Sequence, residues 1–181
     1  MTGVVTWFTG LPSSGKTTLA KSVRAHLLGQ GTPTCVLDGD VLRAIIAPKL
    51  GYSDADRRQF YTALARLAAE LAEQGLVVLV PATAHLREYR QNARQLAPRF
   101  IEVWLTTPLA ECQRRDSKGL YTAATAGPGP GHLPGVDLPY EEPTQAEVVA
   151  SDGEDPSAVE RILSLIRRST WLELDSQEEP M

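Results

Sequence analysis

Apolar positions along the chain follow two alternating rhythms. Unbroken runs at Val4 to Thr9, Pro33 to Leu37, Leu76 to Val80 and Phe100 to Leu105 predict short strands. The third run is apolar throughout and rich in β-branched valine, as expected of a central parallel strand covered on both faces. Between the runs, apolar residues recur at helical spacing over Thr18 to Leu28, Ala55 to Glu73 (Leu64, Leu67, Ala68, Leu71) and Arg87 to Leu96. Ser53 is suited to cap the second of these helices, with Asp54 and Asp56 in its first turn and Gly75 as its stop signal. Pro108 opens a short helix running to about Arg114. Later, Val148-Val149 reads as an edge strand, and Pro156 to Arg168 as a closing helix. Strands alternating with helices imply an α/β fold, a mainly parallel sheet between two helical layers. Ligands in such sheets sit at the carboxyl ends of the strands, where Gly10, Asp38 and Pro81 all fall.

The rhythm breaks between Asp116 and Pro143. Glycine and proline dominate there, in Gly127-Pro128-Gly129-Pro130-Gly131 and then Pro134, Gly135, Pro139 and Pro143. A segment of that length inside a compact domain is either functional or disordered.

Chemistry enters at the first strand's end. Gly10-Leu11-Pro12-Ser13-Ser14-Gly15-Lys16-Thr17 follows a strand and precedes a helix, the context in which this pattern cradles a polyphosphate. Successive backbone N–H groups and the helix dipole aim positive potential at one point. Lys16 is expected to reach the β- and γ-phosphates of ATP, and the Thr17 hydroxyl to ligate Mg²⁺. Asp38-Gly39-Asp40 at the second strand's end offers two carboxylates to the same region, although that tripeptide also reads as an exposed turn. No Asn-Lys-x-Asp element occurs, which disfavours a GTPase.

Bulk properties narrow the field further. The 181 residues suit one domain, 1–175, followed by an acidic tail at 176–181. A net charge of −4 argues against a general nucleic-acid or membrane-surface binder, so an anionic ligand must be held by local cations and amides. Cys35 and Cys112 lack metal-ligand spacing and suit a reducing cytoplasm; Cys35, Trp7 and Trp104 read as core. No stretch has the length of a membrane span and no signal peptide is evident. His26 and His85 are read as surface or hydrogen-bonded polar residues, while His132 falls in the Gly/Pro-rich segment.

Four further elements carry a family resemblance. They are Asp38-Gly39-Asp40 with Arg43, Leu50-Gly51-Tyr52 with Ala55-Asp56-Arg57, Asp116-Ser117-Lys118-Gly119-Leu120-Tyr121, and Gly135 to Pro143. Their order and spacing resemble adenylylsulfate (APS) kinases over nearly the whole chain to about Ser151. The resemblance implies a three-layer α/β/α P-loop kinase fold with a lid at about 115–143. It also implies ATP-dependent phosphorylation of the 3′-hydroxyl of APS. By resemblance, Gly10, Leu11, Pro12, Ser13, Ser14, Gly15, Lys16, Thr17 and Thr18 form the ATP and Mg²⁺ loop, with Arg115 near the nucleotide. Asp38 matches a residue in the metal's water shell, and Asp40 a carboxylate near the acceptor hydroxyl. Lys16, Asp38 and Asp40 are thus the catalytic candidates. Arg43 and Arg57 match arginines that hold the acceptor's anionic groups, Tyr52 an aromatic that stacks on its adenine, and Lys118 the lid's first arm. The family often dimerises, so a homodimer is an expectation too.

The acceptor side departs from the pattern. Phe60, Thr62 and Ala63 stand where the family has an asparagine and arginines. Pro81-Ala82-Thr83-Ala84-His85-Leu86 replaces a serine- and aromatic-containing stretch, Leu133 replaces a second adenine-stacking aromatic, and Thr125 replaces a basic lid residue. Two alternatives therefore stand beside APS phosphorylation: a related kinase for another nucleotide or small alcohol, and a nucleotide-binding regulatory module without turnover.

Overall fold

The computed structural model describes residues 2–116, 118–125 and 133–171. His132, the glycine-proline run before it and the expected tail at 176–181 lie outside the described residues. The elements are β1 (Val4–Thr9), α1 (Lys16–Gly29), β2 (Thr34–Val36), α2 (Gly39–Ile46), α3 (Asp54–Glu73) and β3 (Val77–Pro81). There follow α4 (Arg87–Leu96), β4 (Phe100–Leu105), α5 (Leu109–Arg115), α6 (Leu120–Thr125), β5 (Val148–Ala150) and α7 (Pro156–Trp171). The strands form one parallel five-stranded sheet in the order β2-β3-β1-β4-β5. β1 is therefore central, and β5 is the expected edge.

Strand pleating divides β1 between two cores. Val4 and Phe8 pack with Leu19, Val23 and Leu27 of α1 and with Ile162 and Ile166 of α7. Val5 and Trp7 face the other way, onto Phe60, Leu64 and Ala68 of α3 and onto Tyr89 and Ala93 of α4. Each fully buried large apolar side chain contributes roughly 1.5–3 kcal/mol, so burial on both faces holds the sheet between its helical layers.

Two helices exceed the sequence reading. In the sequence α2 shows only as Asp-Gly-Asp at a strand's end, and α6 only as part of the Gly/Pro-rich segment. Asp38 in fact caps α2, its Oδ1 accepting from the N–H groups of Asp40 and Val41 at 3.0 and 3.4 Å. Gly39 opens that helix where a Cβ would sit 3.1 Å from Ala82 Cβ. The Ser53 cap is as expected, its hydroxyl accepting from the Asp56 N–H at 3.2 Å.

A buried ion pair braces the loop after β3. Arg90 donates from Nε to Glu102 Oε1 at 2.7 Å, from Nη1 to Ala84 O and from Nη2 to Glu141 O, both at 2.5 Å. One guanidinium thereby ties α4, β4 and the segment leaving the Gly/Pro-rich stretch to a single point. His85 and Trp104 correct two expectations. His85 is buried rather than superficial, and its Nδ1 has no hydrogen-bond partner among the described residues. Trp104 is only half-buried.

Candidate active site

The phosphate loop takes its shape from three left-handed residues, Gly10 (φ 148°), Ser13 (φ 59°) and Gly15 (φ 97°). A Cβ on Gly10 would stand 2.8 Å from Leu105 O. One on Gly15 would meet Gly153 Cα and N at 2.6 Å. The loop is thus moulded from outside by β4 and by the turn after β5. Thr107 adds to the clamp: its buried hydroxyl lies 2.8 Å from Ser14 O and 3.2 Å from Ser151 O.

Lys16 folds over this loop and donates from Nζ to Gly10 O at 3.0 Å and Leu11 O at 2.7 Å. Burial lowers its pKa to about 8, against the opposing pull of Asp40. Thr17 donates its hydroxyl to Asp38 Oδ2 at 2.8 Å. Two oxygen donors at the loop's end suit Mg²⁺, which keeps several waters and takes few protein ligands. Among the described residues no group of three or more His, Cys, Asp or Glu side chains forms a metal cage.

Asp38 and Asp40 have different partners. Asp38 points to Thr17 while Asp40, on the first turn of α2, forms an ion pair with Lys118. That contact raises the Lys118 pKa. Beyond it, Tyr52 is half exposed and flanked by two guanidiniums, Arg43 at 4.9 Å and Arg57 at 5.2 Å from its ring centroid. Arg57 is buried and donates from Nε to Tyr52 O at 2.9 Å. Its neighbour Arg58 instead faces solvent and pairs with Glu88 at 2.9 Å.

Lys16, Thr17, Thr18, Asp40, Arg43, Tyr52, Arg57, Arg115, Lys118 and Leu133 all line one cleft of about 930 Å³. Pro12, Ser13 and Gly15 line it as well, whereas Gly10, Leu11, Ser14 and Asp38 do not. Arg115 is held at its mouth by Glu111 at 2.7 Å and Asp152 at 3.3 Å. Although the chain is net negative, this cleft gathers cations, and low-dielectric walls concentrate their field on an incoming polyanion.

Of the divergent positions, Phe60, Pro81, Ala82, Thr83 and Leu133 line the cleft; Thr62 and Ala63 do not. Leu133 packs with Cys112, Tyr121 and Leu11 beside the phosphate loop. Thr125 ends α6. Sequence reading missed Tyr61, Leu120, Ala123, Gly153 and Glu154 as lining residues. Only the periodicity of α3 could have signalled one of them, by putting Tyr61 beside Arg57 on a turn. The described parts of the lid are not free loop. Tyr121 donates its hydroxyl to Pro12 O at 3.0 Å, and Gly135 approaches Leu11 so closely that a Cβ would lie 2.5 Å from its Cδ2.

The family model described as adenylylsulphate kinase matches residues 2–151. The chain belongs to the adenylylsulphate kinase family. It is 41% identical over 167 residues to an adenylyl-sulfate kinase of Synechococcus sp. (strain JA-2-3B'a(2-13)), covering 91% of this chain and 95% of that one. To the adenylyl-sulfate kinase of Escherichia coli (strain ATCC 8739) it is 42% identical over 171 residues, covering 92% and 84%. Among solved structures, the Mycobacterium tuberculosis APS kinase CysC in complex with AMPPNP and APS superposes with a TM-score of 0.85 at 39% identity, covering 92% of this chain and 98% of that one. This adenylylsulphate kinase family member thus has the family's P-loop fold, with a parallel sheet and helices on both faces. Among its described residues, no helix is long and apolar enough to cross a membrane.

Proposed function

We propose that this kinase transfers the γ-phosphoryl group of ATP to the 3′-hydroxyl of adenylylsulfate, giving PAPS and ADP. One observation carries the reading. The phosphate loop and the Arg43–Tyr52–Arg57 cluster open into the same cleft, with Asp40 and Lys118 between them. A donor polyphosphate and an anionic nucleotide acceptor fit its two halves.

In this reading the loop amides and Lys16 hold the β- and γ-phosphates, and Thr17 and Asp38, already joined by a hydrogen bond, would hold Mg²⁺. Magnesium, when bound, neutralises charge on the transferring group. Phosphoryl transfer asks the protein mainly for position and charge, and Lys16, Lys118 and Arg115 supply cations around the donor. Asp40 takes or orients the acceptor hydroxyl's proton once Lys118 moves from its carboxylate onto phosphate oxygens. Arg43 and Arg57 bind the phosphosulfate with planar forks, and Tyr52 stacks on the adenine. Residues 1–175 act as one kinase unit in a reducing cytoplasm, which the free thiols of Cys35 and Cys112 support. Homodimerisation belongs to the same proposal, and sedimentation velocity tests it.

Purified protein with Mg-ATP and a panel of alcohol acceptors tests the reaction. ADP release that requires APS, with a 3′-phosphorylated product by mass spectrometry, is the expected result. Release only with a different acceptor, or nucleotide binding without release, overturns it.

A further inference from the structure

The cleft's acceptor half contains an aromatic seat beneath Arg43. Phe60 is 2% exposed, yet its ring lines the cleft. The Arg43 guanidinium carbon lies 4.0 Å from that ring's centroid, nearer than the 4.9 Å to Tyr52. Its hydrogen bond runs from Nη1 to Gly51 O at 3.1 Å, and among the described residues no carboxylate pairs with it. Arg43 is thus oriented by rings and one carbonyl, and among the described residues its Nε and Nη2 donate to no protein acceptor. A carboxylate partner would have consumed the fork that an anionic ligand needs.

The seat is itself rigid. Phe60 meets Tyr61 edge-on at 5.4 Å, and Tyr61 stacks on Tyr89 of α4 at 4.8 Å. The Tyr61 hydroxyl accepts the Ala84 N–H at 3.1 Å, which fixes the stack to the loop after β3. A cation over an aromatic face is attracted without being neutralised, so its charge remains available to a ligand.

We propose that Phe60 is a positioning residue for acceptor binding: its face seats the Arg43 guanidinium so that the remaining N–H groups meet the acceptor's phosphosulfate. The inference rests on the reading of the cleft as an adenylylsulfate kinase site. Phe60 touches no reacting atom and acts through Arg43.

Steady-state kinetics on four variants tests it. Phe60→Leu keeps an apolar occupant and removes the π face; its KM for APS rises about tenfold, 1.4 kcal/mol by the affinity relation. Its kcat and KM for ATP change by less than about twofold, on the scale where a tenfold rate change is 1.36 kcal/mol. Phe60→Tyr, which keeps the ring, restores the APS KM. In an Arg43→Ala background, Phe60→Leu costs nothing further, because the group it seats is gone. An unchanged APS KM in an active Phe60→Leu enzyme overturns the inference alone, as does a parallel loss in both KM values and kcat that Phe60→Tyr shares. A wild-type enzyme that turns over no APS overturns the parent reading and this inference with it.

Discussion

Thr17 and Asp38 are joined by one hydrogen bond: the threonine hydroxyl donates to Asp38 Oδ2 at 2.8 Å while Asp38 Oδ1 caps α2. One carboxylate therefore joins the phosphate loop to the helix that carries Asp40. The two duties separate by mutation. Asp38→Asn retains a capping oxygen and loses the charge, so thermal stability holds while half-saturating Mg²⁺ rises about tenfold or more. Asp38→Ala also loses the cap, about 0.5–2 kcal/mol in urea unfolding. Equal Mg²⁺ titrations for wild type and Asp38→Asn would remove Asp38 from the metal site.

Lys16 is poised for a pH-dependent change in nucleotide affinity. Burial sets its pKa near 8 in the empty protein, and only the ammonium form attracts phosphate. ADP affinity is therefore expected to be full below about pH 8 and to weaken as pH rises through it. Calorimetric titration across pH 7–10 checks this against Lys16→Met, which lacks the step. Lys16→Ala keeps the fold and lowers turnover by about two to three orders of magnitude, the cost of losing a donor aimed at transition-state charge.

Acid lability is expected from His85. Its pKa is lowered to about 4, chiefly by desolvation and then by Arg57, against 6.5 for an ordinary imidazole. Between those values the unfolded chain binds a proton that the folded chain refuses, so stability falls as pH drops from about 6.5 through 4. Melting temperatures of His85→Leu should lose part of that slope. Parallel curves for the two proteins would show that the imidazole does not titrate on unfolding in that window.

Arg90→Met is expected to destabilise by about 3 kcal/mol, since it strips the buried Glu102 carboxylate of its nearest partner and leaves Arg94 at 3.5 Å. The double variant with Glu102→Gln recovers much of that loss, because the remaining buried group is then uncharged. Urea unfolding of both variants measures the difference, and full additivity would mean that the pair is not coupled.

Much of this architecture is legible in the chain because local pattern and tertiary burial agree. The run Leu76 to Val80 has no polar residue to spare for solvent, and the fold buries Val77–Pro81 on both faces. α2 is hidden because Asp-Gly-Asp has turn chemistry, and the same local contacts from Asp38 to the N–H groups of Asp40 and Val41 that would close a turn here cap a helix. Arg57 and Arg58 are identical as letters; the helix's rotation buries one beneath Tyr52 and exposes the other. The seat under Arg43 is equally unreadable, since no local pattern brings α2 against α3. His85 departs from expectation because its loop turns inward, where its ring meets Tyr89 edge-on at 5.6 Å.

The flush contact between Gly15 and Gly153 has a genetic consequence. The stretch from Ser151 to Asp155 carries no group that handles phosphate in the reading above, and it lies far downstream of the nucleotide loop. Its main chain nevertheless presses on that loop at van der Waals range. Inherited lesions of nucleotide use should therefore surface in a stretch that chemical intuition would pass over, with alanine at 153 as harmful as an insult to the loop itself.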